Sequence, residues 1–510
     1  MEILDTFFGS EVKKELDLLR LLYHKKNFIR IETLSQLLQM DRRSINKYYE
    51  SLISKPYVLA NNCSHIFSAE RGKGYCFMGS KKEYKILTKQ ILQSSPYFTL
   101  LEKLFFESNI HLTKFSMDQF LSESTVRHKV AELDTILKTF DFSIQRTKGE
   151  IRLVDAEPRI RFFMIAFFWR VFSGLDWPFA DVSQTKCETL AKELIALGYF
   201  PANQLNMKLI CYILAVNIIR YRKGFQTNFL LSESISSLSD EDQEVLLQFV
   251  DTHHLLKEHL ENQLTNAFLL PKSESHLIFL FLLTNTTVQL SNKHFTDLIE
   301  PNQSFSETNS FIKKILHSLE TENPHAFETT KNRGLFTKQL VAGLLFVELF
   351  EQMDFTLTGY NIKKYLLQNF AHLFEHAQKI VAEQDIYVSN PAKQTGLGLQ
   401  LSMAYTLITA PTAFNQTIHI KIETDLPTPI EAIIIQRIRE TFASFYHLAI
   451  NQLSEEDRYD LYLSTTPLLQ VKQAAPFLLI NAQVSLTDLL AIQEQLVRLV
   501  AKKRFNSVNK

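Results

Sequence analysis

Glycine supplies only 13 of the 510 residues and proline 14. Such scarcity leaves little material for tight turns and bulges, so it argues against a sheet-rich protein and for long helices with short connections. Cysteine is rarer still, with Cys63, Cys76, Cys187 and Cys211. No two of these have metal-ligand spacing and their number does not point to a disulfide framework, which makes the cytoplasm the expected compartment. The formal net charge is zero, which excludes a global field that would draw the chain onto a polyanion. The longest apolar runs, FFMIAFFW (162–169) and LIFLFLL (277–283), fall far short of the roughly 20 residues a membrane span needs. Both read as buried helices, and no membrane partner is expected. The opening segment MEILDTFFGSEVKKELD lacks the basic stretch, apolar core and small-residue cleavage site of a signal peptide. No GxGxxG loop, Walker lysine loop or local Ser–His–Asp motif occurs. No cofactor is expected, and the chain does not read as an enzyme.

Hydrophobic residues make up 45% and charged residues 22%, the balance of a folded globular protein. A length of 510 residues implies several domains. Charge is unevenly spread. Residues 1–90 hold 16 Lys and Arg against 10 Asp and Glu, whereas the remainder holds 39 against 45. A basic end on an acidic body fits a nucleic-acid-reading end with a regulatory body.

Two helix-turn-helix signatures lie in succession in the first 155 residues. In HLTKFSMDQFLSESTVRHKVAELDTIL (111–137), a short helix is expected to bury Phe115 and Phe120, with Leu121 and Ser122 in the turn. Ser122 is placed to cap the next helix through its hydroxyl. That helix carries Val126, Val130, Leu133 and Leu137 on one face, and its outer face begins with Ser124, Thr125, Arg127, His128 and Lys129. Small polar and basic groups at the N-terminal end of such a helix suit base edges and phosphates in a major groove. The other copy is IRIETLSQLLQMDRRSINKYYESLI (29–53). Leu34, Leu37 and Leu38 are its expected buried face, Met40 its turn and Asp41 its cap. Arg42, Arg43, Ser44, Asn46 and Lys47 project from a helix held by Ile45, Tyr48, Tyr49 and Leu52. Each copy is followed by a hairpin-like stretch with a basic tip, HIFSAERGKGYCFMG with Lys73 and FSIQRTKGEIRLV with Lys148. The pattern predicts two winged units, 1–90 and 91–157.

Beyond residue 157 the pattern is helical. CYILAVNIIRYRKGF (211–225), VLLQFVDTHHLLKEHLENQL (245–264) and LLPKSESHLIFLFLLTN (269–285) are weakly echoed by LVAGLLFVELFEQM (340–353), KKYLLQNFAHLFEHAQKI (363–380) and GLGLQLSMAYTLIT (396–409). Each is read as one helix, giving two all-helical units, 158–292 and 293–408. From 409 to 510, strands alternate with helices as in a small α/β domain. The expected class is mainly α and multi-domain. One metal-like pattern exists, His372-Leu-Phe-Glu375-His376. Its histidines share a helix face, but no third ligand is specified, so the pair reads as surface or interhelix histidines. The His253, His254 and His259 cluster reads the same way.

Two winged units, two helical units and an α/β tail in that order resemble the Mga family of Gram-positive virulence regulators. The resemblance is most specific at STVRHKVAELDTIL and at KGEIRLVDAEPRIRFF. It implies binding to double-stranded promoter DNA, usually activating transcription in contact with RNA polymerase. It also implies that the helical units are phosphotransferase-system regulation domains (PRDs) receiving a phosphoryl group from a phosphocarrier. The tail is similar to the EIIB component of sugar phosphotransferases and is implied to support a homodimer. Two departures stand out. PRDs often carry a phosphorylatable histidine in the helix ending R-x-x-x-G, and CYILAVNIIRYRKG has none. No cysteine follows the first tail strand, so the tail is implied to be a scaffold or sensor. His253, His254, His276, His372 and His376 are the candidate phosphohistidines, by domain position alone.

Three other readings compete. PRD-bearing antiterminators begin with a β-rich RNA-binding domain, whereas this chain begins with helical patterns. A metal-dependent hydrolase would use His372, Glu375 and His376. A scaffold would use its winged units to bind protein.

Overall fold

The computed structural model describes residues 7–60, 63–227, 229–284, 309–322, 330–453, 458–467 and 475–508. The protein is mainly helical, as expected, and divides into two units, Met1–Leu298 with Val341–Ile362 and Ile299–Leu340 with Lys363–Lys510.

The first unit opens with one order of elements used twice. α1 (Gly9–Lys25), α2 (Ile31–Leu38) and α3 (Arg42–Ile53) precede α4 (Pro56–Ala60) and the hairpin β1 (Phe67–Glu70)–β2 (Gly74–Phe77). After α5 (Lys81–Gln93), the order returns as α6 (Pro96–Phe106), β3 (Ile110–His111), α7 (Leu112–Asp118), α8 (Glu123–Lys138), β4 (Ser143–Thr147) and β5 (Glu150–Val154). In each copy the residue leading into the helix-turn-helix is stitched to the wing. Ile110 pairs with Ile151, and Ile29 bridges to Tyr75. Gly74 is required there, because its φ is +98° and a Cβ would sit 1.9 Å from the Ile29 carbonyl oxygen.

The turns are also alike. α2 ends at Gln39 with φ +52°, and the Met40 N–H donates back to the Ser35 carbonyl. α7 ends with Phe120 at φ +54°, and the Leu121 N–H donates to the Ser116 carbonyl. Both have the hydrogen bond that closes a helix through a left-handed residue. This geometry corrects two expectations. Phe120 is 96% exposed rather than buried, because the left-handed backbone turns its side chain away from the helix that Phe115 anchors. Leu37 is 56% exposed, leaving Leu34 and Met40 as the buried residues of that turn.

The rest of the first unit includes α9 (Glu157–Phe172), α10 (Gln184–Ala196), α11 (Gln204–Arg222), α12 (Leu231–Ser234), α13 (Asp240–Asp251), α14 (His254–Phe268) and α15 (Lys272–Leu283). α9 is buried nearly all round, and its rings form the hub of an aromatic core. Phe163 packs on Phe7, Phe105 and Phe142, and Phe167 on Phe8 and Phe98. The winged segments are thereby fastened to α9. The expected single helix over 245–264 is broken at Thr252–His253. The Thr252 hydroxyl donates to the Phe249 carbonyl at 2.7 Å, and His253 Nδ1 lies 2.7 Å from the same oxygen. Side-chain bonds of this kind compete with the helix ladder. Among the described residues, no helix is long and apolar enough to cross a membrane.

The second unit contains α16 (Phe311–Glu322), the start of α17 (Thr330–Phe350), α18 (Ile362–Asn369), α19 (Ala371–Glu383) and α20 (Pro391–Tyr405). The expected helix over 363–380 is two helices, because Phe370 adopts φ −140°, ψ 49° between them. The tail forms a parallel sheet ordered β7-β6-β8-β9, with β6 (Ile418–Glu423), β7 (Leu448–Ile450), β8 (Leu461–Ser464) and β9 (Phe477–Leu479). Parallel neighbours need crossovers, and α21 (Thr428–Phe442) supplies the one from β6 to β7. Ile434 and Ile438 of α21 join Ile492 and Leu496 of α22 (Leu486–Val508) on the core of Ile418, Ile420 and Ile422.

A buried ion network ties the first unit together. Arg161, with no exposed side-chain surface, meets Glu274 at 2.6 Å and Glu157 at 2.8 Å, and donates to Asn217 and the Phe225 carbonyl. Arg220 holds the other oxygen of Glu157 at 2.5 Å and donates to the Phe105 carbonyl of α6. Glu274 also accepts the Thr227 N–H. Removing one partner leaves a charge buried without compensation. The Glu274→Ala variant is therefore expected to lose about 3–5 kcal/mol of stability, read from its denaturant midpoint. A loss within the range of an exposed pair would show that Arg161 is satisfied without it.

Candidate nucleic-acid interface

The two candidate recognition helices, α3 and α8, begin with side-chain caps that the sequence marks. The Asp41 carboxylate accepts the Ser44 N–H at 2.9 Å and its hydroxyl at 2.7 Å, and these bonds hold the Asp41 carboxyl below its ordinary range. The Ser122 hydroxyl accepts the Thr125 N–H at 3.1 Å and lies within hydrogen-bond distance of the Ser124 and Thr125 hydroxyls. Ile45, Tyr48, Tyr49 and Leu52 are buried under α3, as are Val126, Val130, Leu133 and Leu137 under α8. The opposite faces are therefore turned outward. Arg42, Arg43, Asn46 and Lys47 are exposed on α3 and Ser44 is half-buried. Ser124, Thr125, Arg127 and His128 are exposed on α8 and Lys129 is half-buried.

The wings carry their basic tips outward. Lys148 and Gly149 have φ +49° and +86°, the pair of left-handed residues that closes a two-residue hairpin matching strand twist. Lys73 stands on the β1–β2 tip over the Phe28 ring. On the first wing the Tyr75 hydroxyl donates to Asn46 Oδ1 at 2.7 Å, fixing wing against recognition helix.

Carboxylates that sequence reading missed accompany many of these cations. Arg42 pairs with Glu32 at 3.0 Å, Lys47 with Glu11 at 3.0 Å and Lys73 with Glu70 at 2.6 Å. Arg127 lies 3.6 Å from Glu123, and His128 3.5 Å from Glu132. Lys129 sits 4.6 Å from the Tyr97 ring centre, and the Tyr97 hydroxyl bonds Glu132. Of these pairs, Arg127–Glu123 and His128–Glu132 have helical i, i+4 spacing legible in sequence. The Lys47–Glu11 pair spans 36 positions, so only the packing of α1 on α3 creates it. Arg43 and Lys148 have no ion-pair partner among the described residues.

The comparisons agree with this geometry. Residues 81–168, from α5 through most of α9, match the family described as the Mga helix-turn-helix domain. The chain carries a Mga helix-turn-helix domain. A relative named "Putative trans-acting regulator" from Streptococcus pneumoniae serotype 4 is 20% identical over 236 residues, or 46% of this chain and 45% of that protein. The match thus spans less than half of the relative's length. The Mga domain contains α8 and the second wing, whereas α3 and the first wing lie outside the matched residues.

The candidate phosphohistidines are scattered. His253 is buried with Nδ1 on the Phe249 carbonyl, and His254 is exposed with Nδ1 3.0 Å from the Asp251 carbonyl. His259, grouped with them in the sequence, lies 3.4 Å from Glu193. In the second unit His372 faces Glu375 at 3.1 Å, and His376 packs on the rings of Tyr405 and Phe414. No group of three metal-ligating side chains exists among the described residues. His276, on α15 of the first unit, keeps its Nε2 buried with no hydrogen-bond partner. Burial, aided by the Lys257 charge, pushes its pKa down to about 4.

An unfolded chain protonates this histidine near its ordinary value of about 6.5, whereas the folded one resists to about 4. His276 therefore leaves stability intact at neutral pH and erodes it as pH falls from about 6.5 to 4. The loss is bounded at about 3 kcal/mol and is smaller for a ring that water still partly reaches. Denaturant midpoints measured across that window should fall for the wild type and flatten for His276→Leu. Identical slopes would show that another group controls acid stability.

Proposed function

We propose that this protein is a DNA-binding transcriptional regulator that engages duplex promoter DNA through both winged units and activates transcription beside RNA polymerase. The observation carrying this reading is the repeated recognition helix, capped by Asp41 or Ser122, buried on one side and polar or basic on the other. The family match at residues 81–168 supports it, as does the similarity to the pneumococcal trans-acting regulator. Ser124, Thr125 and Arg127 lie early on α8, where base edges are reached, whereas Arg42, Arg43 and Lys47 are cations suited to phosphates, which position rather than specify. The helical unit of residues 158–292 and that of 293–408 act as PRD-like regulatory domains, with the α/β segment of 409–510 as an EIIB-like association domain. A virulence-linked or carbohydrate-linked regulon and a cytoplasmic location follow from the same family reading. Histidine phosphorylation by a phosphocarrier would place negative charge at a helix contact, and His254 is the exposed acceptor among the five candidates.

Self-association fits the exposed apolar stripe on α22, where Leu486, Leu490 and Val497 are 77%, 63% and 52% exposed. Apolar faces of this kind mark association surfaces. A dimer would double the winged units on DNA and raise affinity through effective concentration.

Two measurements test these readings. Arg127→Ala with Lys129→Ala should weaken duplex binding and, if both contact phosphate, lower the salt slope by about 0.9 for each. Wild-type binding by that double variant would remove α8 from the interface. Leu486→Lys with Leu490→Lys should shift sedimentation of the full chain toward monomer at unchanged helicity. An unaltered oligomer would move the contact elsewhere.

A further inference from the structure

We propose that the cleft between the two recognition helices receives a DNA backbone phosphate, and that Glu11 occupies this position in the free protein as an intramolecular competitor. The proposal rests on the DNA-binding reading above and adds a site and a residue to it.

The cleft encloses about 1050 Å³. Its walls include Lys47 from α3, His128, Lys129 and Glu132 from α8, Glu11 from the first turn of α1 and Tyr97 from α6. The candidate contacts of the two winged units thus converge on one space. Glu11 bears on both sides of it. Its carboxylate lies 3.0 Å from Lys47 Nζ, and the charge of Lys129 acts on it as well. A carboxylate held between a lysine of one unit and the field of a lysine of the other has the charge and the oxygen acceptors of a phosphodiester. Both members of the Lys47–Glu11 pair are well exposed, at 63% and 75%. Exposed pairs contribute little stability, so exchanging the carboxylate for a phosphate disturbs nothing in the fold. A helix first turn accommodates an acidic residue for its own sake, but that preference does not explain why this acid reaches out to α3.

Two consequences follow. Phosphate must displace Glu11 from Lys47 and then lie beside its negative charge, so Glu11 lowers affinity for every duplex by the same factor, whatever its sequence. Base contacts from Ser124, Thr125 and Arg127 are untouched. The two winged units also share one contact point, so they engage a single duplex as one body rather than as independent modules.

The test is fluorescence anisotropy of the full chain with two labelled duplexes over a series of salt concentrations. One duplex is of random sequence, and the other is selected from a random pool by the wild type. Glu11→Gln should tighten binding to both several-fold and by equal factors, and should steepen the salt slope by about 0.9, as one more lysine exchanges counterions for phosphate. Glu233→Gln makes the same change in net charge outside the winged units and should have a markedly smaller effect. The gain should vanish in a background of Lys47→Ala with Lys129→Ala. Single losses at those two lysines should combine to less than their sum, as for groups sharing a partner. The proposal is overturned if the wild type binds DNA while Glu11→Gln matches Glu233→Gln, or if the gain survives removal of both lysines. A wild type that binds no duplex at any salt concentration would remove the DNA-binding reading and this proposal together.

Discussion

Arg161 and Arg220 are the constraint on which the first unit depends. Two guanidinium groups lie almost wholly out of water, satisfied by Glu157, Glu274, Asn217 and the carbonyls of Phe105 and Phe225. The partners come from α6, α9, α11, α15 and the loop after α11, so those elements must arrive together for any of the charges to be tolerated. A hydrophobic replacement of the whole network could equal it in stability, since desolvation offsets much of the attraction. Its contribution is geometrical, because only one arrangement of the helices pairs every charge. The Phe105 carbonyl belongs to the second winged segment, and through it the orientation of that segment is tied to the helical body.

The aromatic hub of α9 works alongside this network. Phe163 and Phe167 reach rings from α6, from the residues before α1 and from Phe142, just ahead of β4. The abundance of phenylalanine, 40 residues, finds one use here. Flat, rigid side chains fill the junction between small domains with large buried area and little rotamer entropy. Arg159 closes the same junction, pairing with Asp155 and donating to the carbonyls of Phe140 and Phe350. Burial raises the Asp155 pKa although Arg159 pulls it down, so desolvation outweighs attraction at this site.

The candidate DNA face has a different electrostatic logic. Its cations stand among carboxylates at exposed positions, where pairing is weak and reversible. Side chains held this way are not committed to one partner. The formal net charge of the whole chain is zero, although residues 1–90 hold 16 Lys and Arg against 10 Asp and Glu. On the proposed reading, attraction to DNA depends on the local placement of charge rather than on a field of the whole chain.

Elements whose signals are local follow directly from the residues that form them. The caps at Asp41 and Ser122, the buried stripe of α8, the glycine-bearing wing tips and the alternating β6 strand each follow from chemistry within a few residues. The outward basic residues of α3 and α8 were legible for the same reason. Other features depended on bonds that no short window contains. Phe120 and Leu37 looked buried because hydrophobicity assigned them to a helix face, and a left-handed turn moved Phe120 out. Two long helical patterns broke at His253 and Phe370, in the first case because side chains claimed a carbonyl that a continuous helix needs. The approach of Glu11 to Lys47, across 36 positions, exists because α1 packs on α3. Which charges face each other is set by the packing of the helices, since Coulomb attraction and burial act on distance in space and sequence separation says nothing about that distance.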